Sequence, residues 1–81
     1  MINNTYKKYI NKRWNQLTYT EQQDILNTII DCVDHNGNSV KLGECIIDFE
    51  SGLSISGNLV PAGDYPEIVI NKDAKFYNPS I

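Results

Sequence analysis

Residues 44–60, ECIIDFESGLSISGNLV, constrain the fold of this chain more than any other stretch. Cys45, Ile47 and Phe49 take the odd positions of a first run, while Glu44, Asp48 and Glu50 take even ones. In a second run Leu53, Ile55 and Leu59 alternate with Ser54, Ser56 and Asn58. Period two over this length is the pattern of strands with one buried face. Directly opposed residues of an antiparallel pair share a face, so a one-residue slip would exchange core for solvent. A two-residue loop at Ser51-Gly52 sets Phe49 against Ser54 and mixes the faces. A three-residue loop, Glu50-Ser51-Gly52, pairs Phe49 with Leu53, Ile47 with Ile55 and Cys45 with Gly57. It also puts Gly52 where such a loop needs a left-handed residue. The alternation therefore predicts a hairpin with the longer loop.

A third strand follows the turn cluster Pro61-Ala62-Gly63-Asp64. Pairing Val60 with Tyr65 opposes Ile55 with Ile70, Gly57 with Ile68, Asn58 with Glu67 and Ser54 with Asn71. Three strands then share one apolar face that another layer must cover.

The covering layer is expected from the N-terminal part. Tyr6, Tyr9, Ile10, Arg13, Trp14 and Leu17 approximate helical spacing over residues 3–17. Thr18-Tyr19-Thr20-Glu21 reads as a capping box, and Asp24 adds a second carboxylate near the helix start. Ile25, Leu26, Ile29, Ile30, Cys32 and Val33 form an apolar stripe that ends at Asp34-His35-Asn36-Gly37-Asn38-Ser39. Asn-Gly is also a hairpin signal, so a strand from Ile29 to His35 turning into Val40-Lys41-Leu42 competes with the helix. The cap and the shared face of Ile25, Ile29 and Val33 favour the helix. Residues Ala74 to Tyr77 read as a short edge strand. The expected fold is a single small α+β domain over 1–81, with two N-terminal helices packed on a three-stranded antiparallel β-meander. Its core joins Ile47, Phe49, Leu53, Ile55, Ile68 and Ile70 to Trp14, Ile25 and Ile29, with Trp14 lying over Gly57.

The 81 residues contain no apolar run of membrane-spanning length and no leader-like start, which makes a soluble, cytoplasmic protein the expectation. Cys32 and Cys45 are too few for a disulfide framework and read as buried thiols. His35 is the only histidine. A Cys32–His35 nucleophilic pair conflicts with the place of Cys32 on the apolar stripe. Zinc held by Cys32, His35 and Cys45 lacks a known ligand spacing. Asp34-x-Asn36-Gly37 resembles the middle of a calcium loop, but Cys32 and Gly43 would fall where its terminal carboxylates belong. Asp48 and Glu50 suit paired-carboxylate chemistry only inside a cleft, and a solvated sheet face is the simpler reading. No cofactor, no metal and no enzymatic activity are expected.

Charge is segregated along the chain. Residues 1–20 hold Lys7, Lys8, Lys12 and Arg13 without an acid, a formal +4; the remainder holds all ten acids against three lysines, a formal −7, and the whole chain carries −3. The expected function is a non-enzymatic protein-binding domain, like small acidic inhibitor or immunity-type proteins in size and charge alone. The candidate protein-binding surface is the even face of the first strand, Glu44, Ile46, Asp48 and Glu50, together with Glu67 and Val69. Ile46 and Val69 would flank Ser56 inside a carboxylate rim. The rival is that Phe76 and Tyr77 fold back over both. The alternative is a nucleic-acid-binding protein using Lys7, Lys8, Lys12 and Arg13, interleaved with aromatic residues. A pI near 4.8 opposes that reading.

Overall fold

The computed structural model describes residues 4–79. It contains a four-stranded antiparallel sheet in chain order: β1 (Ile29–Val33), β2 (Gly43–Phe49), β3 (Ser54–Ala62) and β4 (Tyr65–Ile70). One α-helix, α1 (Tyr19–Leu26), and two 3-10 segments, Asn4–Tyr9 and Trp14–Gln16, precede the sheet. The expectation of two helices on a three-stranded meander is thus corrected: one helix shrinks to 3-10 turns, and half of the other becomes a strand.

The central hairpin takes the register that its alternation demands. Cys45 pairs with Gly57, Ile46 with Ser56, Ile47 with Ile55 and Asp48 with Ser54. The Phe49 amide donates to the Leu53 carbonyl at 3.0 Å, and Gly52 has φ +94°. The next hairpin is offset by two residues from expectation. Ala62 pairs with Tyr65 and Gly57 with Ile70, leaving Gly63-Asp64 as the loop. Gly63 carries φ +65° at the first loop position, as the tightest hairpins require. Pro61 and Pro66 face each other inside the ladder. Neither has an N–H, so they must occupy a pair that exchanges no backbone bond. A slip of two keeps every side chain on its face, which is why face alternation could not detect it.

β1 replaces the second half of the expected helix. Thr28, Ile29, Ile30 and Val33 are β-branched, and β2 offers a ladder that satisfies their backbone groups. Ile29 pairs with Phe49, Cys32 with Ile47 and Val33 with Ile46, with a bulge at Ile30 between them. The helix closes at Asn27 and Thr28, where the Thr28 hydroxyl donates to the Ile25 carbonyl at 2.7 Å. Beyond β1 the chain turns at Asn36-Gly37, as the rival reading required, but the return is only a Val33–Ser39 bridge.

The N-terminal helix fails for a different reason. Asn11 adopts φ +68°, a left-handed conformation that asparagine tolerates, and this breaks the helix. Residues beyond it bond to the C-terminal segment instead. The amides of Asn11, Trp14 and Asn15 donate to Phe76, Ala74 and Lys72 carbonyls, and the Phe76 amide donates to Lys12. The same segment continues onto β3, exchanging two bonds between Ser54 and Tyr77 at 2.9 and 3.0 Å. Residues 72–77 therefore form a backbone-bonded seam between the N-terminal segment and β3, with Phe76 buried and Lys72, Asp73, Lys75 and Tyr77 exposed, and not a free edge.

The core contains Tyr9, Leu17, Ile25, Cys45, Ile47, Phe49, Leu53, Ile55, Leu59 and Phe76. Trp14, Ile29, Ile68 and Ile70 pack against it, as expected. Phe76 is fully buried, with ring centroids 5.8–6.0 Å from those of Phe49, Tyr9 and Trp14. The atoms nearest to Gly57 come from Ile47, Val69 and Ile70 and not from Trp14. A Cβ added there would meet the Ile47 Cδ1 at 2.5 Å and the Val69 carbonyl oxygen at 2.8 Å.

The capping box is formed. Thr18 Oγ1 accepts from the Glu21 amide at 3.2 Å, and Glu21 Oε1 accepts from the Thr18 amide at 2.9 Å. Glu21 Oε2 also accepts from the Tyr9 hydroxyl at 3.1 Å, tying the cap to the core. Thr18→Ala is expected to lose about 1 kcal/mol of stability, read from chemical denaturation. An unchanged midpoint would remove Thr18 as the cap.

Candidate functional site

The odd residues of β2 face the core, so the opposite face of the sheet is turned away from α1 and the 3-10 segments. The pairings place Asp31 and Val33 of β1 on that face with Glu44, Ile46 and Asp48 of β2. Ser54, Ser56, Asn58 and Val60 of β3 follow, then Glu67 and Val69 of β4. The charged residues in the strands are Asp31, Glu44, Asp48 and Glu67, all acidic and all on this face. Among the described residues, no strand contributes a cation.

Five of the six expected binding residues therefore share one face. Glu50 departs: it lies in the hairpin loop, its amide bonded to the Thr28 carbonyl at 2.8 Å. Val69 lies opposite Asn58 and not Ser56, because of the two-residue offset. Ile46 consequently has Val33 on one side and Ser56 on the other. Val33 and Asp31 are absent from the expected patch because the helical spacing claims both. Phe76 and Tyr77 do not both cover the patch. Phe76 enters the core, and Tyr77 stands near Asp48.

Asp31 and Asp48 lie directly opposite each other across β1 and β2. Like charges in this arrangement repel, and a hydrogen bond between the carboxyls relieves the pair only while one of them is protonated. That bond, with some desolvation and the neighbouring charge, raises the Asp31 pKa above its ordinary value, although the residue is exposed. The Ser54 hydroxyl, fully buried, donates to Asp48 Oδ1. Tyr77 has its phenol pKa raised by burial and by Asp48.

The sign of the linkage follows. A carboxyl whose folded pKa is raised binds its proton more tightly when folded. Its contribution is present at low pH and is lost as pH rises from its ordinary value, near 3.8, through the folded value. Asp31→Asn is expected to flatten that loss and to raise stability at pH 7 by a few tenths of a kcal/mol. Parallel pH–denaturation series of the two proteins would test this; identical slopes would mean the carboxyls are independent.

Beside this pair is an open depression of about 270 Å³, lined by Val33, His35, Glu44, Ile46, Ser56 and Asn71 among others. Asp34, at its edge, accepts from the amides of Asn36 and Asn38 at 2.8 and 2.9 Å, which lowers its pKa. The motif resembling a calcium loop is thus a turn stabilised by its own carboxylate. Cys32 and Cys45 lie close together on the inner face, and burial pushes the Cys32 thiol up to about 11. Among the described residues, no cluster of three or more His, Cys, Asp or Glu side chains is arranged to hold a metal.

The basic residues lie elsewhere. Lys7 and Lys8 belong to the first 3-10 segment, with Lys8 Nζ 5.2 Å from the Tyr9 ring centroid. Lys12 is exposed, and the Arg13 guanidinium donates to the Asp73 carbonyl at 2.7 Å. Tyr9 is buried and Trp14 packs against the core, so neither presents a free stacking platform. Among the described residues no helix is long and apolar enough to cross a membrane. Comparison of the chain with protein-family models, curated proteins and solved structures found no match.

Proposed function

We propose that this protein is a non-enzymatic binding module whose outer sheet face engages a basic protein surface. The observation that carries this reading is the placement of the strand carboxylates. Asp31, Glu44, Asp48 and Glu67 share a face that the helix leaves uncovered, where Asp31, Glu44 and Asp48 flank the paired Val33 and Ile46, and Glu67 lies beside Val69 on β4. An apolar centre inside a charged rim is a common construction for a docking surface. A field of one sign speeds encounter with an oppositely charged partner and makes the rate salt-dependent. An inhibitor or immunity-type role is one form such binding takes. A nucleic-acid reading has less support, since Arg13 and Lys8 have neighbours within the fold and the aromatics between them are engaged in the core.

The test compares Asp48→Lys with Glu67→Lys against Lys7→Glu with Lys8→Glu and Lys12→Glu, using a partner recovered from host lysate and then purified. The proposal expects the first pair to slow association and remove its salt dependence, and the second set to bind normally. The reverse pattern, or recovery of nucleic acid alone, would overturn it.

A further inference from the structure

Resting on that reading, we propose that the depression between β1, β2 and β3 seats a single arginine side chain of the basic partner. Its size is the first argument. At about 270 Å³ and open to solvent, it has room for one long side chain.

Its lining is the second. Val33 and Ile46 are half-buried neighbours across β1 and β2 and give an apolar surface for the methylene stem. Glu44, exposed on the wall, supplies the charge partner. Ser56 and Asn71 add neutral oxygens across the depression. The Asn71 Oδ1 accepts from Asn58 Nδ2 at 2.9 Å, which holds the amide in place, and an amide oxygen can accept a second bond. Acceptors spread around a wall match the planar five-donor fork of a guanidinium better than the point charge of an ammonium.

The experiment titrates the isotope-labelled full chain with a capped, lysine-flanked peptide carrying one arginine. The same peptide with citrulline at that position serves as the neutral isostere. The expected result is amide shifts at Val33, Ile46, Ser56 and Asn71 with arginine only. Glu44→Gln, at an exposed position and so expected to leave the native spectrum intact, is expected to weaken binding by roughly three- to tenfold. Equal binding of both peptides, or shifts centred on Asp48 and Glu67 with Glu44→Gln silent, overturns the arginine seat and leaves the face reading standing. Binding that shifts nothing on the outer face overturns both. Absence of saturable binding by the arginine peptide overturns the seat, and the charge-reversal comparison then decides the face.

Discussion

Replacing Phe76 with alanine is expected to cost about 3–5 kcal/mol, enough to unfold much of a domain this small. The ring is fully buried and touches three aromatic neighbours from different parts of the chain: Tyr9, Trp14 and Phe49. Its loss leaves a cavity and also loosens the seam of residues 72–77. The effect should therefore exceed what area alone implies. Chemical denaturation followed by the single tryptophan reads it directly, because Trp14 lies beside the cavity. A cycle with Phe49→Ala, whose ring centroid is 5.8 Å away, should show a coupling of about 0.5–1.5 kcal/mol. A loss below about 1 kcal/mol for Phe76→Ala would mean that the C-terminal seam is not docked.

Enlarging Gly57 should be nearly as damaging. Alanine there is expected to cost about 1–3 kcal/mol, and valine more, because the closest atoms to an added Cβ include the Val69 backbone carbonyl. A carbonyl in a ladder cannot move without breaking pairs. The Ile47 Cδ1 can, and the prediction has a second arm for that reason. Ile47→Val removes the methyl that meets the new Cβ at 2.5 Å, so the double variant should be more stable than the sum of the two losses predicts. Strict additivity would show that the Ile47 contact is not what excludes a side chain at Gly57.

The sequence was informative where burial on one face and exposure on the other coincide. Phe49, Ile47 and Cys45 could be matched to Leu53, Ile55 and Gly57 because any odd slip would expose them. The slip of two at Gly63-Asp64 left no trace, since Pro61 and Ala62 carry turn chemistry while sitting in a strand. β1 was lost to the helix reading because Ile25, Ile29 and Val33 suit either period, and only its ladder with β2 decides between them. That loss removed Asp31 and Val33 from the candidate site. The alternation of Phe76 inward and Tyr77 outward was too short to read. The N-terminal segment failed because its backbone partners lie at the other end of the chain, beyond the reach of any local pattern.

The seam also orders events during synthesis. The Arg13 guanidinium bonds to a carbonyl 60 residues further on, and the amides of Asn11, Trp14 and Asn15 depend on partners at similar distances. At about 5–20 residues per second, a ribosome delivers those partners roughly 3–12 s later. During that interval the meander can pair, but Tyr9 and Trp14 have no Phe76 to close against. Until residues 72–77 are made, the basic, aromatic segment around Tyr9 and Trp14 lacks those backbone partners.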